Sequence, residues 1–571
     1  MTVCEMNKPF TPRDIKSLSS TKELVYTNAE RFGDKPLYIY VENKEKKTYT
    51  YNDNKETFDA FGTALFWLGL NGKTVSLCTE QHPHWIASFL SVIAAGGVIV
   101  PLDRELLPEQ LAGFIKLTES EAVILSAREL KMLSAELSDM TSLKHIIIIG
   151  QDTIPEGFDD ERIKTFTSLV EKGKELLASG DTGFLDYERD NRSTACILFT
   201  SGTTGTSKGV MLSEYNILFS TVQCCRMVAN DDKDVFVSVL PIHHTFALTT
   251  NHLSMSYLGG TTFMNDSLKH TFKNITEVKP TCLILVPLFL ETMDKKIWDN
   301  IKKQGKEKQV KALMKMSNAM RKTGIDMRKT LFEKILNSFG GNLHHIIVGG
   351  APLDPEIIRD FDAFGITVVE GYGITECCPL ISVNPFSKRK IGSAGLVADG
   401  LEARIGDPNE LGEGEIQVRG GNVFTGYYKN EEATKEAFTD DGWFCTGDIG
   451  RIDKDNYIYI TGRKKNVIIA SNGKNVYPEE LEEYLNKSDI IKEAAVIGRN
   501  TADGIVITAL IYPDKDVCGD MDDKELYEKI FSEINLINKG LPTFKHITAL
   551  EIRDREFEKT TTRKIKRFLL K

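Results

Sequence analysis

The string FTSGTTGTSKG, Phe199 to Gly209, crowds hydroxyl side chains and three glycines into a loop closed by a lysine, directly after the apolar run TACIL. Glycine removes side-chain obstruction and permits unusual backbone angles, so N–H groups, hydroxyls and an ammonium can approach phosphate oxygens closely. The chemistry that fits is a triphosphate cradle. A Walker loop needs G-x-x-x-x-G-K-[ST], whereas Gly205 is followed by Thr206-Ser207-Lys208-Gly209, so the P-loop pattern fails. A Ser/Thr/Gly-rich surface loop is the plain alternative, and it would leave the residue order arbitrary.

Other strings bring reactive types together. GGAPL, Gly349 to Leu353, follows the apolar HHIIV, and EGYGITE, Glu370 to Glu376, sets an aromatic, a hydroxyl and a carboxylate side by side. An isolated Glu is usually a solvated charge, but hard divalent cations need oxygen ligands and commonly bind through one or two carboxylates plus phosphates. WFCTGDIG contains Asp448, whose plain reading is a turn Asp bonding its own backbone. GRKKN supplies Arg463 and Lys465, SNGKNVYPEELE runs from Ser471 to Glu482, and TTTRKIKR presents Lys564. In LPIHHTF, His243 and His244 are expected on opposite faces of an extended segment. With no Cys or carboxylate close in sequence, that argues against zinc.

Elements that must hold these residues follow from periodicity. Short β-rich runs at Thr74–Cys78, Val98–Leu102, Ala122–Ser126, His145–Gly150, Ala195–Thr200, Val235–Leu240, Cys282–Val286 and His345–Val348 alternate with helical stretches, which predicts α/β architecture with largely parallel sheets. No fixed repeat stands out. The charge-dense 295–339 reads as one or two amphipathic helices with a solvated face, and membrane-surface contact is the minority reading. The uncharged 85–102 contains Gly96-Gly97 and Pro101, so a helix, a break and a buried strand are expected rather than a membrane span. After about Leu401 the texture turns to short strands and tight turns, and from Asn475 the chain has its own helix, EELEEYLNK, and strands, EAAVIGR and ITALIYP. The boundary is placed at Lys464-Lys465, giving domains 1–464 and 465–571.

At 571 residues the chain exceeds one hydrophobic core, and 41% hydrophobic with 27% charged residues places it among folded globular proteins. A net charge of -10 with interleaved signs argues against a nucleic-acid partner and favours a small-molecule substrate. The ten cysteines lack CxxC spacing and read as reduced thiols. Residues 1–20 lack a secretory signal pattern, so a cytoplasmic location is expected.

Taken together these motifs resemble, over essentially the whole length, the adenylate-forming superfamily of acyl-CoA synthetases, peptide-synthetase adenylation domains and beetle luciferase. The wording SNGKNVYPEELE is most similar to bacterial long-chain fatty acid–CoA ligases. The resemblance implies a large N-terminal domain of two α/β sheet lobes plus a small β-barrel-like subdomain, and a small mobile α+β C-terminal domain. It implies that Thr200, Ser201, Gly202, Thr203, Thr204, Gly205 and Lys208 form the cradle for the ATP phosphates. Gly350, Ala351 and Pro352 would wall the adenine pocket with Gly371, Tyr372 and Gly373, Tyr372 stacking on the base. Thr375 would bond an α-phosphate oxygen, Glu376 with Thr203 would hold Mg2+, Asp448 would accept both ribose hydroxyls and Arg463 would contact ribose and phosphate. Lys465 would be the hinge, Gly473 would let the CoA arm pass, His244 would gate the acyl site, and Lys564 would be the catalytic lysine. Arg563 stands where the family commonly has Gly.

The reaction so implied is attack of a carboxylate on the α-phosphorus of ATP, giving acyl-AMP and pyrophosphate, then transfer to CoA with no covalent enzyme intermediate. Lys564 would serve the first step and withdraw for the second. Alternatives stay open at this stage: a carrier-protein phosphopantetheine as acceptor, an aromatic or sterol-like acid, a luciferase-like oxidase, or an inactive nucleotide-binding protein. The absence of a carrier domain after Lys571 favours CoA as the acceptor. Monomer and homodimer are equally compatible with the sequence.

Overall fold

The computed structural model describes residues 10–200, 207–469, 475–501, 504–519, 521–559 and 565–570. Two compact units are present: one built from the chain up to Thr200 with Lys208–Glu402 and Arg419–Glu436, the other from Ala403–Val418 and the chain from Ala437 onward. Compactness therefore groups most of the strand-and-turn segment with the C-terminal residues.

In the first unit, apolar β-branched runs form parallel strands buried on both faces, as the unbroken burial of Ala122–Leu125 illustrates. One sheet runs in the order Gly426–Tyr427, Lys208–Ser213, Thr194–Thr200, Val98–Pro101, Thr74–Cys78, Ala122–Leu125, His145–Ile148, Ile163–Thr165. Its strands from Thr194–Thr200 to Ile163–Thr165 are parallel, and Lys208–Ser213 folds back antiparallel on Thr194–Thr200. The uncharged 85–102 resolves as anticipated into the helix Pro83–Ala94, which starts on its proline, and the strand Val98–Pro101. Gly96 makes the break at φ +79, and a Cβ there would meet Tyr187 Oη at 2.4 Å. Among the described residues no helix is long and apolar enough to cross a membrane.

A second sheet of this unit is ordered Gly395–Val397, Leu380–Val383, Thr367–Gly373, His345–Gly349, Cys282–Leu285, Val235–Ser238, Thr261–Met264, Pro36–Glu42, Glu45–Thr50. Its parallel centre packs on the helices Pro287–Lys303 and Pro355–Phe364 through Leu290, Met293, Ile297, Phe361 and Phe364, and Glu307–Lys322 adds Val310, Leu313 and Met314 at the edge of the same core. Burying each such side chain contributes about 1.5–3 kcal/mol. The charge-dense segment is thus two long helices followed by two short ones, and the first begins at Pro287 rather than Lys295. Its apolar first turns, PLFLETM, carry little of the charge that marks the rest.

In the second unit, Phe444–Ile452 and Tyr457–Arg463 pair antiparallel. The three-stranded sheet of Ile491–Thr501, Gly504–Pro513 and Ala549–Ile552 is covered by the helices Pro478–Leu485 and Asp523–Asn538, with Leu481, Leu485, Ile530 and Ile534 fully buried.

Candidate active site

The hairpin of Thr194–Thr200 and Lys208–Ser213 sets Thr200 opposite Lys208, and Thr200 Oγ1 donates to the Lys208 carbonyl at 3.4 Å. Ser201, Gly202, Thr203, Thr204 and Gly205 lie outside the described residues. The short strand Gly426–Tyr427 adds to the outer edge of this hairpin, pairing Tyr427 with Val210. That pairing puts the Tyr427 ring 4.6 Å from Lys208 Nζ and lets its hydroxyl donate to Glu376 Oε1 at 2.9 Å. Burial and the neighbouring Glu376 charge push the Tyr427 phenol well above its ordinary range, so it stays a proton donor. The Glu376 carbonyl accepts from Phe424 N–H at 2.8 Å, and Asn216 from the adjoining helix holds the Gly421 and Val423 carbonyls at 2.8 and 2.9 Å. Lys208, Tyr427 and Glu376 thus form one connected group. Tyr427 was not singled out from sequence because the strand pairing that delivers it joins segments more than 200 residues apart.

The two glycine-rich strings meet by strand register. His345–Gly349 pairs parallel with Thr367–Gly373, and Gly349 falls opposite Gly371. Gly350 at φ +90 turns the chain off the sheet, leaving Ala351 and Pro352 exposed and Leu353 buried as an anchor. Tyr372 is buried at the strand end. At Gly373 a Cβ would sit 2.0 Å from the Pro379 carbonyl oxygen, so the turn into the 3-10 segment Thr375–Cys377 closes only over glycine. Thr375 and Glu376 are half-buried beyond it.

Beside this wall lies an apolar cavity of about 70 Å³, lined by Gly349, Gly371 and Tyr372 on the sheet side and by Cys224, Phe246 and Thr250 across from them. Phe246 and Thr250 belong to a π-helix, Phe246–Leu253, a geometry that recurs at functional sites. The Phe246 ring packs so closely on the sheet that a Cβ on Gly349 would lie 3.2 Å from its Cζ. Burial raises the Cys224 thiol to about 12 and holds Cys378 far above its usual range, so both are inert thiols at neutral pH.

His244 is not part of the cavity lining; it precedes Phe246 by two residues. The segment around it is a turn, not extended: His244 N–H donates to the Pro241 carbonyl at 3.1 Å, and the two imidazoles face each other at 4.2 Å instead of pointing apart. A carboxylate also lies near in space, Asp103 at 3.6 Å from His243 Nε2. Among the described residues no group of three or more His, Cys, Asp or Glu could hold a metal ion by itself.

In the second unit Asp448 and Arg463 face each other across paired strands, with Arg463 Nε 2.7 Å from Asp448 Oδ1. Asp448 is buried. Glu415 accepts from Gly447 N–H at 3.1 Å and pairs with Lys464 at 2.7 Å, fixing the turn before Asp448 and the residue after Arg463. Lys465 is exposed in the 3-10 segment Lys464–Asn466, and Asn466 bonds Glu479 at 2.6 Å. Gly473 and Lys564 lie outside the described residues.

A lone carboxylate already engaged by Tyr427 suits a Mg2+ ion that takes most of its ligands from phosphates and water rather than from a protein cage.

Residues 25–428 match the AMP-binding enzyme family, and residues 465–569 match the AMP-binding enzyme C-terminal domain. The chain belongs to the AMP-binding enzyme family. Among AMP-binding enzymes it is 30% identical over 458 residues to a long-chain-fatty-acid–CoA ligase of Mycobacterium bovis, covering 77% of this chain and 73% of that one. It is 27% identical over 560 residues to the chloroplastic long-chain-fatty-acid–[acyl-carrier-protein] ligase of Arabidopsis thaliana, covering 86% and 76%. In fold it is similar to an anthranilate CoA ligase solved with anthranoyl-AMP, at TM-score 0.76 and 19% identity over 98% of this chain and 97% of that one.

Proposed function

We propose that this AMP-binding enzyme is an AMP-forming ligase that activates a long-chain fatty acid with ATP and transfers the acyl group to CoA. The observation that carries the reading is the junction of the two glycine-rich strings with an apolar cavity, set in the same unit as the Lys208–Tyr427–Glu376 group. A nucleotide would lie along the polar side and an alkyl chain in the apolar one.

A carboxylate cannot expel oxide, so it must first receive a better leaving group. Attack of the fatty acid carboxylate on the α-phosphorus breaks the bond to pyrophosphate and forms acyl-AMP. Lys208 would neutralise phosphate oxygens and Thr375 would donate a hydrogen bond to one, while Tyr427 orients Glu376, a preorganised arrangement of the kind that supplies the largest catalytic term in many enzymes. Mg2+, held by Glu376 and Thr203, would add charge neutralisation at the phosphates. Asp448 would accept the ribose hydroxyls, with Arg463 fixing its orientation. Lys564 would act in adenylation, and rotation about Lys465, separating residues 1–464 from 465–571, would exchange it for the Gly473 segment and CoA.

A cytoplasmic site of action goes with this chemistry, and so does contact with a lipid surface. Between residues 287 and 339 there are 13 Lys and Arg against 6 Asp and Glu, with Met316, Ile325 and Met327 exposed among them. Such a basic face with apolar side chains suits an anionic bilayer from which fatty acid is drawn.

The similarity to the acyl-carrier-protein ligase favours a second reading of the acceptor, a carrier-bound pantetheine. Product mass spectrometry with ATP, Mg2+ and a graded series of acids, with CoA or acyl carrier protein, decides both. Long-chain acyl-CoA as the dominant product is expected. Acyl-AMP released without thioester, or thioester on the carrier alone, overturns CoA as the acceptor.

A further inference from the structure

The segment carrying Lys564 is tied at both feet to one strand. Before it, Glu493 on the strand Ile491–Thr501 forms an ion pair with Lys559 and accepts Phe557 N–H at 2.9 Å. After it, the Arg567 guanidinium pairs with Glu482 and donates to the Val496 carbonyl at 3.2 Å, while Val496 N–H donates to Glu482 at 2.5 Å. The feet are themselves joined: Lys559 and Ile565 form an antiparallel bridge, and Lys566 N–H donates to the Glu558 carbonyl at 2.8 Å. Phe557 and Ile565 pack with Ala495, Leu510 and Tyr512, so an apolar seat lies beneath the polar ties.

Neither glutamate is a surface ion pair of the weak kind. The side chains of Glu482 and Glu493 are only 14% and 9% exposed, and carboxylates so buried persist only when partnered. Glu482 is the last residue of SNGKNVYPEELE, well beyond the Gly473 assigned to the CoA arm, and Glu493 lies outside that string. Glu482 also lies on the helix Pro478–Leu485, which follows the short strand Asn475–Val476.

We propose that Glu482 and Glu493 are positioning residues that hold Arg567 and Lys559, and thereby fix the two ends of the chain on either side of Lys564. The inference rests on the reading of Lys564 as the adenylation lysine. Five residues separate the bridged positions, so ties at Lys559 and Arg567 fix both ends of the stretch that includes Lys564. Loosening either foot raises the entropy cost of presenting the ammonium in the adenylation step and leaves thioester formation untouched.

The test measures two half-reactions in the full chain: ATP–pyrophosphate exchange with a fatty acid, and thioester formation from supplied acyl-AMP and CoA. Arg567→Ala, Glu482→Gln and Lys559→Met are each expected to slow exchange by about 10- to 100-fold, the penalty of a small misplacement, with thioester formation within about twofold. Arg567→Lys should recover part of the exchange rate, since it keeps the charge but replaces the planar fork that spans Glu482 and the Val496 carbonyl by a single nitrogen. Trypsin should cleave after Arg563 and Lys564 faster in the variants, a readout independent of activity. Equal loss of both half-reactions, or unchanged exchange in variants that fold by circular dichroism, overturns the clamp. Should Arg567→Ala fail to fold, Lys559→Met and Arg567→Lys carry the comparison. Lys564→Ala is run alongside: if it retains exchange, the reading beneath the inference falls, whereas its expected loss beside an unaffected Arg567→Ala removes the inference alone.

Discussion

Tyr427 reaches Glu376 across 51 residues of sequence and donates its hydroxyl at 2.9 Å, with Lys208 over the same ring at 4.6 Å. One aromatic side chain therefore spaces the carboxylate and the cation between which phosphates would lie. Tyr427→Phe keeps the ring and deletes the hydrogen bond, which for a charged acceptor contributes about 1.5–3 kcal/mol. The expected outcome is a roughly tenfold fall in pyrophosphate exchange with a raised Mg2+ requirement, measured by titrating exchange against Mg2+. An unchanged Mg2+ dependence would remove Tyr427 from the site.

Asp448 is buried and held by Arg463 at 2.7 Å, so its carboxylate has a fixed direction. Asp448→Asn keeps the shape but replaces one acceptor by a donor. The KM for ATP is expected to rise by about 10- to 100-fold. Discrimination between ATP and its 2′- and 3′-deoxy analogues should shrink, and steady-state kinetics with the three nucleotides checks this. Loss of kcat with the discrimination intact would mean that Asp448 serves the turn rather than the ribose.

How far these roles could be read beforehand differs by residue. Strand positions were legible because β-branched runs between helical stretches are a local signal, and Thr74–Cys78 appears with the bounds expected of it. The join of GGAPL with EGYG needed only that two such strands be neighbours, which the register of Gly349 with Gly371 supplies. Phe246 and Thr250 were hidden because a π-helix shifts which side chains share a face, and HTFALTTNHL carries no mark of that wider turn. The turn at His243-His244 was missed for a related reason: a backbone bond from His244 to Pro241 overrides the extended pattern that alternation suggests. Tyr427 depended on an edge pairing between distant segments, for which local sequence holds no signal.

Phe246 presses on Gly349 at the cavity wall, so its size sets the room in the cavity where the proposed acyl chain would lie. Phe246→Ala should move kcat/KM toward longer or bulkier acids by about tenfold, the scale on which apolar pockets discriminate. Competition assays with mixed chain lengths read the ratio directly. An unaltered ratio would place the acyl chain elsewhere.

Asp294 is raised to about 7, first by burial and then by the like charge of Asp360, which takes its hydrogen bond from Trp298 at 2.7 Å. A carboxyl whose folded value lies above its unfolded value of about 4 costs nothing at low pH. Its penalty grows as the pH rises from about 4 to 7 and is complete above that. Three units correspond to about 4 kcal/mol, reduced to about 1–2 kcal/mol because the group is partly solvated. Asp294→Asn is therefore expected to stabilise the protein at pH 8 and to leave it unchanged at pH 4, as denaturant melts at the two values will report. A gain equal at both would assign the effect to packing instead of charge.

The basic face of the helix Glu307–Lys322 gives the last expectation. Lys308, Lys315 and Lys322 are exposed and Met316 is 46% exposed among them, whereas the chain as a whole carries -10. A bilayer rich in phosphatidylserine would attract this face by about 1 kcal/mol for each lysine near its surface, despite the overall repulsion. Cosedimentation with vesicles of phosphatidylcholine and 30% phosphatidylserine should fall by about 10- to 100-fold in the triple Lys308→Glu, Lys315→Glu, Lys322→Glu variant, and in wild type as salt is raised. The same variant should turn over dispersed fatty acid normally while losing rate on vesicle-borne fatty acid, because its chemistry is intact and only delivery is impaired. Binding to vesicles that survives the triple reversal would place any lipid contact on another face.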